Sequence, residues 1–211
     1  MTNLAWAVLA LTALTACVDW IAVARTRTRL EYVAKPLTTL GLVALALALD
    51  PVHHEMRAAF VVALTFSLVG DVCLMLPGDR FVPGLAAFFL AHVAYIVGFT
   101  VGPGSPKEFL VGTLIAAAVA LPTGFRLLRS VRRKMPPLVA PVAAYMTVIT
   151  VMLATATGWG NAWAVVGAWL FFASDALIGE TRFVRSRSWA GLAIIVTYHL
   201  GQAALVLSLI H

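Results

Sequence analysis

Eight apolar stretches, each of 17–21 residues, follow one another with little chain between them. They run Leu4–Val23, Val33–Leu49, Ala58–Leu76, Pro83–Val101, Phe109–Phe125, Leu138–Thr157, Ala162–Gly179 and Ala190–Ile210. A helix needs about 20 mostly apolar residues to cross the hydrocarbon core of a bilayer, and backbone at that depth must satisfy its own hydrogen bonds. These lengths predict an all-α fold, a polytopic membrane bundle of eight transmembrane helices. It fills residues 1–211 as one integral membrane domain, leaving room for short loops and for no separate soluble domain. Gly and Pro mark the joints at Asp50-Pro51, Pro77-Gly78, Gly102-Pro103-Gly104, Pro136-Pro137 and Gly158-Trp159-Gly160. In the fifth stretch Pro122 is a place for a kink, and Arg126 and Arg129 offer a continuation into the interface.

Composition excludes the alternatives. Of 211 residues 62% are hydrophobic and 11% charged, and the mean hydropathy is +0.95. A soluble domain carries about 25% charged residues and cannot hide this much apolar surface. A soluble enzyme, a disordered chain and a disulfide scaffold are thereby excluded. The formal charge of +6 would suggest nucleic acid in a soluble protein. Here the basic residues sit between apolar runs with no interleaved aromatics, so nucleic acid is not an expected partner. Cys17 and Cys73 lie inside apolar runs and are expected to be buried thiols. Leu14-Thr15-Ala16-Cys17 resembles a bacterial lipoprotein cleavage site, but the first basic residue is Arg25. A signal peptide needs a positive segment before its apolar run, so Leu4–Val23 is expected to remain as the first helix.

The basic residues set a topology. Thirteen of the fifteen Lys and Arg fall at odd-numbered loops: Arg25, Arg27, Arg29 and Lys35, then Arg80, then Arg126 to Lys134, then Arg182, Arg185 and Arg187. Only Arg57 and Lys107 fall at even ones. The positive-inside rule places the odd loops in the cytoplasm and both termini outside, in a cell membrane. A weak echo joins the halves. Phe66-Ser67-Leu68-Val69-Gly70-Asp71 resembles Phe171-Phe172-Ala173-Ser174-Asp175, and Lys35-Pro36-Leu37 resembles Pro136-Pro137-Leu138. Two parallel four-helix halves fit this pattern, with chance similarity an equal alternative.

An ionisable side chain inside a spanning helix is expensive and faces the bundle interior. The intramembrane set is Asp19, Lys35, Asp71, His92, Asp175 and His199, with Tyr95, Tyr145, Tyr198 and Gln202. On the predicted topology they share the cytoplasmic half of the bilayer, which points to one cavity open to that side. Asp175, Gly179 and Arg182 stand at i, i+4 and i+7 on one helix face. Ser67 and Asp71 are i, i+4, with Gly70 permitting close helix approach. His92 and Tyr95 are i, i+3, and Tyr198 and Gln202 are i, i+4. Structural alternatives stay open. Asp71 and Asp175 can be ion-paired to Lys35 or Arg182, and His92 and His199 can be hydrogen-bonded packing residues. Asp19, near a helix end, is expected to snorkel toward water or Arg25, and Tyr145 reads as packing. The six tryptophans fit an interfacial belt. His53, His54 and His211, in loops or at the terminus, carry no signal.

At these residues the chain resembles the YhhN/TMEM86 family. The resemblance rests on Lys35-Pro36-Leu37-Thr38-Thr39, Phe66 to Asp71, Phe88-Phe89-Leu90-Ala91-His92-Val93-Ala94-Tyr95, Ser174-Asp175-Ala176-Leu177 and Thr197-Tyr198-His199-Leu200-Gly201-Gln202, in that order. It implies an eight-helix membrane enzyme of the lysoplasmalogenase type, which cleaves the vinyl-ether bond of a lysoplasmalogen to a fatty aldehyde and a glycerophospho-ethanolamine or -choline. The family's paired intramembrane aspartates map onto Asp71 and Asp175. Two departures are visible: the first helix matches nothing diagnostic, and Gly70 stands where many members have serine.

Vinyl ethers hydrolyse by acid catalysis, through an oxocarbenium ion that water captures. The reaction needs a general acid, a negative group near the cation and a placed water, as in glycoside hydrolysis. On this reading Asp71 and Asp175 are the catalytic pair, and either is the acid. Lys35 and Arg182 hold a phosphate, while His92, Tyr95, Tyr198, His199 and Gln202 contact substrate or water. The substrate is a lysophospholipid reached from membrane lipid, and no metal or organic cofactor is expected. Two other classes stay open: a metal-dependent lipid hydrolase using Asp71, His92 and His199, and a proton-coupled transporter or lipid-binding protein.

Overall fold

The computed structural model describes residues 1–102 and 104–210. Pro103, in one predicted joint, and His211 lie outside the described residues. Among the described residues eight helices are long and apolar enough to cross a membrane, and no residue is in a strand. They are α1 (Asn3–Ala24), α2 (Thr28–Ala48), α3 (His54–Met75), α4 (Phe81–Phe99), α5 (Pro106–Lys134), α6 (Val139–Trp159), α7 (Ala162–Gly179) and α8 (Ala190–Leu207). The protein is a multi-pass membrane protein.

Local chemistry fixes the helix ends. Thr2, Ser105 and Asn161 each accept a hydrogen bond from a backbone N–H three residues on, the ordinary N-cap arrangement. Pro106 follows Ser105 at a position where its missing N–H is not needed. Gly160 ends α6 with φ of +78°, the left-handed conformation that glycine adopts freely.

Sequential helices pack as hairpins, and α2 packs on α3, α4 on α6 and α6 on α7. The ring closes where α8 meets α1 and α2. Helix α5 lies against α6 and the end of α7. It continues past Phe125 to Lys134 because its last turns are amphipathic. Leu127 and Val131 are buried, Ser130 donates to the Phe183 carbonyl, and Arg126 pairs with Glu180 at 2.6 Å. After Gly179 the chain continues as a π turn, Glu180–Val184.

Two expectations are corrected. Cys17 is exposed and Cys73 is half-buried. A spanning helix turns apolar residues toward lipid as well as toward its neighbours, so an apolar run does not imply a buried thiol. Asp19 is completely buried rather than snorkelling, because its face of α1 is covered by α2 and α8.

The crossing that most tightly sets the site is α7 on α8. A Cβ on Gly167 would lie 2.8 Å from the Gly201 carbonyl oxygen, and one on Gly201 would lie 2.9 Å from the Phe171 nitrogen. Both neighbours are backbone and cannot yield. Gly201→Ala is therefore expected to lower stability by about 1–3 kcal/mol. Gly124→Ala, whose added methyl meets nothing nearer than Met146 Cε at 3.7 Å, is expected to raise it slightly through helix propensity. Thermal unfolding of the two variants in detergent micelles checks the contrast.

Candidate active site

Six helices bring their polar side chains to one place in the bundle. Lys35 and Thr39 stand one turn apart on α2 and both face Asp71 on α3. Asp71 Oδ2 accepts from Thr39 Oγ1 and from Tyr198 Oη, each at 2.8 Å. Its Oδ1 lies 3.3 Å from Lys35 Nζ. Behind Tyr198 the donors continue: Tyr95 Oη donates to Gln202 Oε1, and Gln202 Nε2 lies 3.4 Å from Tyr198 Oη. Every neighbour of Asp71 in this chain presents a hydrogen to the next. Aligned donors of this kind reinforce one another, and together they suit an ionised carboxylate.

The surroundings of Asp175 differ. Tyr145 Oη donates to its Oδ2 at 2.5 Å, and His92 Nε2 lies 3.7 Å from the same oxygen. His92 Nδ1 is 2.6 Å from the Phe88 carbonyl oxygen. A carbonyl only accepts, so Nδ1 carries the hydrogen, and Nε2 of the neutral ring is a bare acceptor. That acceptor is buried and makes no other bond. At 3.7 Å the two do not hydrogen-bond directly, so a bare nitrogen is left facing the carboxyl. Lys35 touches Asp71 and, among the described residues, no Lys or Arg pairs with Asp175. The two carboxyl sites meet across Phe171, whose ring packs on both His92 and Tyr198.

Asp175 and Tyr145 also line a narrow cleft with about 40 Å³ of free space. Its walls are apolar, with Leu74, Phe81, Phe88, Leu127, Met146 and Phe183 among them. Phe171 packs against both groups, with ring centroids 4.7 Å from His92 and 5.4 Å from Tyr198. The apolar walls suit hydrocarbon rather than polar groups.

Of the residues expected from sequence, Asp71, Asp175, Lys35, His92, Tyr95, Tyr198 and Gln202 come together. His199 does not join them. Its ring turns toward α1, where it meets Trp20 and Asp19. Arg182 also lies elsewhere. The π turn breaks the 3.6-residue spacing that aligned it with Asp175, and its Nη2 binds both oxygens of Asp79 at 2.7 and 2.8 Å. This guanidinium holds the exposed Asp79 carboxyl below the usual carboxylate range. The ligand set of the metal-hydrolase alternative is not assembled, because His92 and His199 face different aspartates. Among the described residues, no three His, Cys, Asp or Glu converge. Tyr145 and Thr39 were not identified as site residues. Thr39 was legible as the i+4 neighbour of Lys35, whereas Tyr145 stands alone on α6 with no local signal.

Fold and site define a polytopic membrane protein with a buried carboxyl group, Asp71, and a partly buried one, Asp175, that lines an apolar cleft. The chain belongs to the YhhN family, whose model matches residues 30–209. It is 36% identical over 148 residues to lysoplasmalogenase TMEM86B of Homo sapiens, covering 69% of this chain and 61% of that protein. It is 30% identical over 173 residues to a lysoplasmalogenase of Mycobacterium tuberculosis, covering 79% of this chain and 65% of that one. The chain thus spans less than two thirds of the length of these relatives. No solved structure matches it.

The Lys35–Asp71 pair gives a direct test of the site's electrostatics. Lys35→Met leaves a buried carboxylate without its cation and is expected to reduce stability by about 3–5 kcal/mol. Adding Asp71→Asn to Lys35→Met is expected to restore most of that loss. Equilibrium unfolding of the single and double variants in micelles measures it.

Proposed function

We propose that this chain is a lysoplasmalogenase, hydrolysing the vinyl-ether bond of a lysophospholipid to a fatty aldehyde and a glycerophospho-ethanolamine or -choline. The observation that carries this reading is the opposite chemistry around the two carboxyls. Asp71 is buried and ringed by donors and a cation, and the partly buried Asp175 faces a bare imidazole nitrogen at 3.7 Å beside an apolar cleft. Such a separation of environments is how one site supplies an acid and a base together. The names of the relatives in two distant organisms support the same reaction.

The roles follow from the partners. The alkenyl chain lies in the apolar cleft, which puts its vinyl ether beside Asp175. Asp175, with His92, gives its proton to the β-carbon, and the double-bond electrons leave an oxocarbenium ion at the α-carbon. The Asp71 carboxylate stabilises that cation and takes a proton from the water that adds to it. The resulting hemiacetal collapses: Asp71 protonates the departing glycerol oxygen, and the hemiacetal hydroxyl returns its proton to the Asp175–His92 couple. Both groups end as they began. Tyr145 and Tyr198 hold the two carboxyls in place, and Lys35, only 13% exposed, is the cation for the phosphate. Arg182 is committed to Asp79 and shapes the cleft mouth.

The charge pattern supports odd loops in the cytoplasm, both termini outside and the cleft opening inward from a cell membrane.

Purified protein incubated with lysolipids bearing vinyl-ether, alkyl-ether or acyl linkages tests the reading by mass spectrometry. The expected result is free aldehyde from the vinyl-ether lipid alone. Asp71→Asn and Asp175→Asn are each expected to reduce aldehyde release by at least about 10²-fold, the usual scale for removing a general acid or base, with folding retained. Wild-type turnover in either variant contradicts the assignment.

A further inference from the structure

Beside the carboxyl pair lies a second buried cluster that the reaction above does not use. Asp19 on α1 is fully buried, and neither of its oxygens has a hydrogen-bond partner. His199 on α8 is 3% exposed, and its Nε2 is likewise unpartnered. The two face each other across 3.9 Å, from Nε2 to Oδ2. Trp20 Nε1 donates to His199 Nδ1 at 3.1 Å.

Trp20 decides what this cluster can hold. An indole nitrogen only donates, so His199 Nδ1 is the bare nitrogen and Nε2 carries the hydrogen. The pair is therefore an N–H donor facing a carboxylate acceptor across a gap too long for a direct hydrogen bond. One oxygen about 2.8 Å from each would complete both. That oxygen must accept from His199 and donate to Asp19. A phosphate oxygen does not donate and an ammonium does not accept, so the matching group is a hydroxyl, of a substrate or of water.

His199 follows Tyr198 directly, their rings 5.5 Å apart, and Tyr198 bonds Asp71. The cluster thus lies one residue along α8 from Tyr198, which binds Asp71. Resting on the lysoplasmalogenase reading, we propose that Asp19 and His199 bind the free sn-2 hydroxyl of the lysolipid, with Trp20 as the positioning residue that fixes the imidazole tautomer. A lipid acylated at that carbon offers no proton to Asp19 and adds bulk among buried side chains, so the cluster selects lysolipids over their two-chain parents. A site built to hydrogen-bond a substrate hydroxyl discriminates strongly against an analogue that lacks it.

The test compares a vinyl-ether lysolipid with its 2-deoxy analogue in the full chain. Wild type is expected to favour the hydroxylated substrate by at least about 10²-fold in kcat/KM. Asp19→Asn, which keeps the volume, is expected to cut that preference at least about tenfold. Trp20→Phe is expected to cut it too, with a smaller effect on the 2-deoxy substrate. Variants that slow both substrates equally would mean that the cluster is structural or holds only water, and would overturn the proposal. The uncleavable alkyl-ether lysolipid and its 2-deoxy form supply the same comparison without turnover, read as thermal stabilisation of wild type and Asp19→Asn. A hydroxyl preference there, lost in the variant, upholds the hydroxyl site even if no aldehyde forms, and the reaction reading alone then falls. Aldehyde release with no hydroxyl preference overturns this inference alone.

Discussion

A carboxyl group within a bilayer must find its partners inside the protein, and this demand at Asp71 organises the bundle. Water is absent from the hydrocarbon region, so each lone pair of the carboxyl must be met by a side chain. Lys35 and Thr39 meet it from α2 and Tyr198 from α8, and Gln202 links Tyr198 to Tyr95 on α4. One residue thereby ties four helices to a common depth. Close packing makes this possible. A Cβ on Gly70 would fall 2.5 Å from the ring of Phe88, and that ring is packed edge-on against Tyr198, with centroids 5.9 Å apart. The glycine beside the aspartate keeps Phe88, and through it the Tyr198 hydroxyl, in position.

Two histidines show how the same side chain is set to opposite tasks. His92 is bonded through Nδ1 to a carbonyl and turns a bare nitrogen toward Asp175. His199 is bonded through Nδ1 to an indole and turns an N–H toward Asp19. The first arrangement offers an acceptor to its carboxyl, and the second offers a donor. The difference lies wholly in the partner of the other ring nitrogen, a contact that the ring itself does not reveal.

Much of this was legible in the sequence. The eight spans follow from length and polarity, since hydrocarbon thickness dictates helix length. The pairing of Lys35 with Asp71 and the gathering of His92, Tyr95, Tyr198 and Gln202 follow from the high cost of polar groups in lipid. What escaped depends on contacts between distant elements. Asp19 looked like a helix-end residue because nothing local says that α8 covers it. Tyr145 looked like packing because its partner is 30 residues away. Arg182 was placed by α-helical spacing that the π turn abolishes. The extension of α5 was hidden because Leu127 and Val131 stand among arginines and pack on a turn some 50 residues further along.

The central claim is that a buried carboxylic acid protonates carbon. Hydrolysis of a vinyl-ether lysolipid in D2O, with the aldehyde trapped early and analysed by mass spectrometry, tests it most directly. Protonation of the β-carbon places one deuterium on the carbon next to the aldehyde, and turnover is slower than in H2O. An aldehyde that carries no deuterium at that carbon contradicts the mechanism, whatever the overall rate.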